Sequence, residues 1–406
     1  MGTKSIKAQY TIKYSGVHGF YWSVFCSSVS FAAVFLLSKN FNNSQIGMVL
    51  AIANILAVIL QPIVAAFADT TKKVSMKNLI TIFVGLAAFF TLARFFVPDG
   101  IWMLAVVLIL ELTILFTLQP LVNSLGMQLI NKGIAINFGL ARGIGSVAYA
   151  ITSYLLGVVV VYFGADSLTV ISLVLYILLG IIIFTFTKKP LTNIKREIPS
   201  IGGSESKKLI ENKKKGNLVS FITRYKRFSV LIFAIALTFV SHTMINNYLI
   251  QITENVGGNT KDMGIATGIA AVIELPAMIL FGYLVKKFRC SSILKYSLFF
   301  FMIKSVVTVV ATNVWMLYAA QIFQFGAYAL FIPASIYYVN RIIAEEDSIK
   351  GQAFMTSGIT LGGVGASLLG GWLLDGLGVH AMLFAGMAAS ILGFVIGLWS
   401  TERTEI

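Results

Sequence analysis

QPIVAAFADTTKK at residues 61–73 and LPAMILFGYLVKK at residues 275–287 are two versions of one phrase, 214 positions apart. Each has proline in second place, then an apolar run, then a lysine pair, Lys72-Lys73 or Lys286-Lys287. Nearly the same offset pairs Leu155-Leu156-Gly157 with Leu368-Leu369-Gly370. A register held over two separate stretches reads as an internal duplication. The copies are built for hydrocarbon: 57% of the 406 residues are hydrophobic and 12% charged, against roughly a quarter charged in a soluble domain. That composition excludes a soluble enzyme. With 35 Gly, 7 Pro and 2 Cys it also excludes disordered, collagen-like and disulfide-stapled chains.

A helix crossing ~30 Å of hydrocarbon needs about 20 mostly apolar residues. Twelve such windows occur, at 15–38, 44–67, 78–97, 101–126, 138–162, 167–187, 226–250, 262–285, 291–311, 313–338, 352–374 and 379–400. No alternating barrel pattern is present, and hydrocarbon tolerates no unpaired backbone, so the spans are helices. The first window follows Lys4, Lys7 and Lys13 but is too long for a signal peptide and has no cleavage site, so it is retained as a span. The expected fold is an all-α membrane protein of two six-helix pseudo-symmetric bundles, residues 1–187 and 226–406. A basic cytoplasmic linker, 188–225, containing Lys213-Lys214-Lys215, joins them.

Charge sets the orientation. Of the 31 Lys and Arg, Arg142 and Lys304 fall within spans and Lys39, Arg94 and Lys261 lie on one side, leaving 26 on the other. The basic side faces the cytoplasm, which puts both termini there and the chain in the cell membrane. The net charge of +15 is then explained by topology and anionic lipid headgroups, without a nucleic-acid partner. Two halves related by an axis along the membrane normal bind solute between them at mid-depth and alternate access by rocking, so this architecture implies transport.

The 6+6 layout, the central basic loop and Asp69-Thr70-Thr71-Lys72-Lys73 after the second span resemble the major facilitator superfamily, in which that loop carries an acid followed by bases. Ala68 stands where the family has glycine. Asn137 to Gly145 (NFGLARGIG) in the fifth span and Glu274-Leu275-Pro276 in the eighth are similar to the lactose-permease-like oligosaccharide/proton symporters and their phenylpropionate-permease-like relatives. The resemblance implies that Asp69, Lys72 and Lys73 form a gating loop, that Arg142 binds substrate hydroxyls and that Tyr149, in place of tryptophan, stacks on the solute. It also implies that Glu274 binds substrate and couples it to the proton, and that Lys304 replaces a coupling arginine. The family's coupling histidine and glutamate on the tenth span align with Gln324 and Ala327, and its sugar-binding acid on the fourth with Ser124. Lactose specificity therefore does not carry over.

An ionisable side chain near mid-bilayer costs at least about 2.5–3.5 kcal/mol, so Glu111, Arg142, Glu274 and Lys304 each need a cavity, a partner or a task. Arg142, Ser146, Tyr149 and Ser153 make one polar stripe on the fifth span, the mark of a wet face. Pro276 frees a carbonyl beside Glu274 and predicts local hydration. Glu111 is either a second proton site or the partner of Arg142. Ionised Glu274 or Glu111 is expected to pair with Arg142 or Lys304 until protonation and substrate release the pair. Asn246, Asn247 and Gln251, Gln321, Gln324 and Tyr328, and His18, Tyr21 and Trp22 recur at helical spacing, each set able to face a common cavity or to bond neighbouring helices. Scattered histidines give no metal site, the glycines of the eleventh span form no nucleotide fingerprint, and no cofactor is called for.

The expected function is proton-coupled import of a small polyhydroxylated solute, a sugar or oligosaccharide, by a monomer with proton, solute and lipid as its partners. Uptake of an aromatic acid or nucleoside is the alternative, and drug or metabolite efflux the third. A membrane enzyme or receptor fits less well, since no nucleophile–base or metal constellation is spaced for it.

Overall fold

A computed structural model describes residues 3–70, 74–97, 102–131, 134, 136–186 and 218–405. These residues form helices and connections, with no strand among them. The first half holds α1 (Thr3–Phe25), a π-helical turn (Cys26–Ser30), α2 (Ala32–Ser38), α3 (Asn43–Thr70), α4 (Met76–Ala93), α5 (Trp102–Asn131), α6 (Phe138–Phe163) and α7 (Ser167–Phe184). The second holds α8 (Leu218–Arg224), α9 (Lys226–Asn247), α10 (Leu249–Asn255), α11 (Thr260–Lys287), α12 (Cys290–Val309), α13 (Val314–Ile322), α14 (Tyr328–Ile342) and α15 (Ser348–Ser400). Helix starts follow local chemistry. Ser75, Asn137 and Asn313 each accept an N–H two or three residues into the helix they cap, and Asn259 forms a capping box with Asp262.

Among the described residues, ten helices are long and apolar enough to cross a membrane, and the bent pair α1–α2 makes eleven. The twelfth pass is inside α15. Its 53 residues would extend roughly 80 Å if straight, more than twice the hydrocarbon thickness. Gly378 breaks it with φ 83° and ψ −179°, a conformation that side-chain-bearing residues avoid. The two arms correspond to the windows at 352–374 and 379–400.

Three windows read as single helices are interrupted. The first bends by 43° after the π turn, the seventh breaks at Tyr248, and the tenth passes through a 3-10 turn at Phe323–Phe325. The expected linker is also shorter than 188–225, because its last residues form α8, whose Phe221 is buried against Phe228 and Phe354. The linker's basic run lies outside the described residues.

The halves meet chiefly through α6 with α11 and α3 with α15, and the tightest approaches cluster at the end opposite the termini. A Cβ on Gly47 would collide with the Ser367 carbonyl, and one on Gly371 with that of Asn43. Ser153 donates to the Gly264 carbonyl at 2.9 Å. Asp375, on α15, accepts from the backbone N–H groups of Asn43 and Ser44 (3.0 and 2.7 Å) and from both their side chains, so it caps α3 across the seam. Gln251 adds a bond to Asn43 at 2.7 Å. No comparable packing joins α5 to α14. The molecule is therefore sealed between its halves at one end.

Candidate functional site between the halves

Arg142 lies one turn inside α6 and is half-buried, its guanidinium carbon 4.1 Å from the centre of the Trp22 ring. It donates to Ser146 at 3.1 Å, the i+4 neighbour that the polar stripe singled out. A guanidinium lying on an indole keeps its in-plane donors free while the ring offsets its desolvation. The next member of the stripe, Tyr149, shares a 2.6 Å hydrogen bond with Ser30 and meets Trp22 edge to face at 6.5 Å. Ser153 is spent on the seam.

Opposite stands a relay in the second half. Lys304 of α12, fully buried, donates to the Gln324 carbonyl oxygen at 2.7 Å, and the Gln324 amide donates to a Glu274 carboxylate oxygen at 3.1 Å. An amide bridges a cation and an anion in one orientation only, oxygen toward the ammonium and nitrogen toward the carboxylate. The expected direct pairing of Glu274 with Arg142 or Lys304 is therefore not the arrangement here, because Gln324 fills the space between acid and lysine. Glu274 remains within electrostatic reach of both Arg142 and Lys304. Leu275 touches the position a Cβ would take on Gly143, which puts the two motifs against each other across the interface.

The other predicted residues divide. Asn246, exposed in the last turn of α9, bonds His242 at 3.0 Å, and His242 stacks on Tyr328 at 5.4 Å and 16°. This histidine and tyrosine form an aromatic pair on the second half, with Tyr328 within electrostatic reach of Tyr149; the histidine's part in it was not read from sequence, where its only signal was one-turn spacing from Asn246. Gln321 is buried, with no hydrogen-bond partner for its amide nitrogen among the described residues. His18 is buried edge-on to Tyr14 at 4.7 Å, behind Arg142.

Four readings need correction. Tyr21 is 1% exposed and gives its hydroxyl to the Leu115 carbonyl, so it belongs to the first half's core. Asn247 bonds Ser367 at 2.9 Å and holds α9 to α15. Glu111 is not the partner of Arg142: it is fully buried against Arg94, and also accepts from Ser28 (3.0 Å) and Tyr176 (3.4 Å). Arg94, counted with Lys39 and Lys261 on one side of the spans, lies buried in the turn after α4 because burying it neutralises that acid. Among the described residues, the candidate site thus brings together two of the bases and one of the acids, Arg142, Lys304 and Glu274, without Glu111. Of the gating-loop residues, Asp69 falls in the last turn of α3, with its side chain outside the described residues, as are Lys72 and Lys73.

Residues 11–395 match the model of the MFS_1 like family. The chain belongs to that family, within the major facilitator superfamily. It is a multi-pass membrane transporter. It is 20% identical over 400 residues to the transporter YwbF of Bacillus subtilis (strain 168), and 24% identical over 395 residues to a maltose permease of Geobacillus stearothermophilus. Each match covers 95% of this chain and 93% of the relative. The crystal structure of the nucleoside transporter NupG, in a mutant form, superposes with a TM-score of 0.78 at 13% identity, covering 96% of this chain and 98% of that one. At that identity the likeness is one of fold. It agrees with the expected 6+6 architecture.

Proposed function

We propose that this transporter imports a neutral, hydroxyl-rich solute together with a proton, with Arg142 and Glu274 gripping the solute from opposite halves. The observation that carries the reading is the Lys304–Gln324–Glu274 relay within electrostatic reach of an arginine whose guanidinium carbon sits 4.1 Å from the centre of the Trp22 ring. Hydroxyls suit such a set, since each both accepts from the guanidinium and donates to the carboxylate. Ionised Glu274 holds the relay and draws Arg142, and that attraction resists separation of the halves. Protonation weakens it, and bound solute substitutes for it, so both must be present before the halves rock. A proton entering down ~100 mV gains ~2.3 kcal/mol, a roughly fifty-fold contribution to accumulation.

A sugar is the first reading, supported by the relative named as a maltose permease. A nucleoside is the second, favoured by the two aromatic pairs, Trp22–Tyr149 and His242–Tyr328, which suit a flat base beside a hydroxylated ring. With the basic end in the cytoplasm, the sealed end is the outer one and this conformation faces inward. The test is proteoliposome alkalinisation on adding maltose or uridine to wild type and Arg142→Ala. Proton movement with one probe, lost in the variant, is expected. Movement that persists unchanged in Arg142→Ala would remove the arginine from the site.

A further inference from the structure

The first span is not one helix, and its irregularity links a buried ion pair to the candidate site. The sequence Cys26-Ser27-Ser28-Val29-Ser30 winds as a π turn, after which α2 departs at 43°. Serines clustered in a helix compete with the backbone for its hydrogen bonds, and Ser27 does so here by donating to the Val24 carbonyl at 3.0 Å. Single π turns concentrate at functional sites. The three serines of this turn reach three different helices. Ser27 accepts from Ser172 of α7 at 2.8 Å, Ser28 donates to Glu111 of α5 at 3.0 Å, and Ser30 bonds Tyr149 of α6 at 2.6 Å.

The Arg94–Glu111 pair brackets the bend. Glu111 holds the π turn through Ser28, while the Arg94 guanidinium lies over Phe35 of α2 at 5.1 Å, on the far side of the bend. Tyr176 adds a third donor to the same carboxylate. Removing either partner would strand the other's charge in a sealed core, so the two stay together. The pair's geometry fits a fixed pin.

We propose that Ser30 is a positioning residue that orients the Tyr149 ring for substrate, and that the Arg94–Glu111 pair sets Ser30 by pinning the bend of the first span. Glu111 then acts through structure and carries no transported proton. The inference rests on the reading of Tyr149 as part of the substrate site.

The test is 19F NMR of the full chain in detergent or nanodiscs with 3-fluorotyrosine encoded at position 149. Ser30→Ala should shift the resonance and Ser30→Thr, which keeps the hydroxyl, should restore it. Ser28→Ala, which touches neither Tyr149 nor Ser30, should also shift it, and the double variant should match Ser30→Ala alone. An unmoved signal in Ser30→Ala would overturn the positioning role; one moved by Ser30→Ala but not by Ser28→Ala would overturn the link to the ion pair. These mild truncations leave both charges in place and so preserve folding. If the shifts behave as expected while Tyr149→Phe changes neither maltose nor uridine uptake, the positioning stands and the substrate role of Tyr149 falls.

Discussion

Replacing Asp375 by alanine should open the sealed end. The carboxylate takes four hydrogen bonds from Asn43 and Ser44 of the opposite half, between 2.5 and 3.0 Å, at the N-terminus of a 28-residue helix. A charge-assisted bond contributes about 1.5–3 kcal/mol when buried, and an anion at a helix N-terminus about 0.3–1. Asp375 is exposed, so water recovers most of what is lost, and about 1–2 kcal/mol remains. That corresponds to roughly a 5–30-fold shift between sealed and open conformers. The assay is the rate at which a membrane-impermeant maleimide, added on the side of the sealed end, modifies Ser153→Cys. Position 153 is fully buried in the seam, and the background carries Cys26→Ala and Cys290→Ala. The Asp375→Ala chain should react 5–30 times faster than its parent, as estimated above. Equal rates would show that the carboxylate does not hold the halves together and that the seal lies in the remaining contacts, the close glycine approaches and the Gln251–Asn43 bond.

Other consequences follow from single side chains. Arg94→Met leaves Glu111 charged and buried and should lower stability by about 3–5 kcal/mol, whereas Arg94→Met with Glu111→Met should recover most of it; thermal unfolding in detergent compares the two. Gln324→Leu removes the hydrogen-bond partner of both Lys304 and Glu274 and should cost about 1–3 kcal/mol, lessened when Lys304→Met is added. Outside the membrane, the hydrogen bond from Lys350, together with Arg224, holds Asp347 below its ordinary pKa. A depressed carboxylate stabilises above its unfolded pKa of about 3.9, and the contribution fades as pH falls through the lower folded value. Asp347→Asn should therefore lower stability slightly at pH 7, by less than about 1 kcal/mol since both cations are substantially exposed, seen as a small drop in Tm, and make no difference in strong acid.

Span number, the duplication and the pairing of Arg142 with Ser146 were legible because hydropathy and helical spacing are local properties. The turn at Gly378 was legible for the same reason, as a gap between two apolar windows. What escaped depends on contacts distant in sequence. Arg94 was counted among the bases outside the spans, and only the fold brings it to Glu111, 17 residues on. Gln324 was aligned with a coupling histidine, whose titratable proton it cannot carry, and read as one of a cavity-facing set, whereas its amide joins Lys304 to Glu274. Tyr21 and Trp22 are neighbours in sequence, but successive positions on a helix differ by about 100°, so one entered the core and the other the cleft. The bend at Phe31 had a visible cause, three serines in five residues, yet nothing local says that Ser28 and Ser30 meet different helices.

The most direct test of the account is solute flux by Glu274→Gln in proteoliposomes, measured with labelled maltose and uridine in two modes. The variant is expected to exchange the probe that wild type transports when no gradient is imposed, and to fail to accumulate it when the outside is made acidic. Accumulation at the wild-type level under the imposed gradient would contradict the assignment of coupling to this carboxylate.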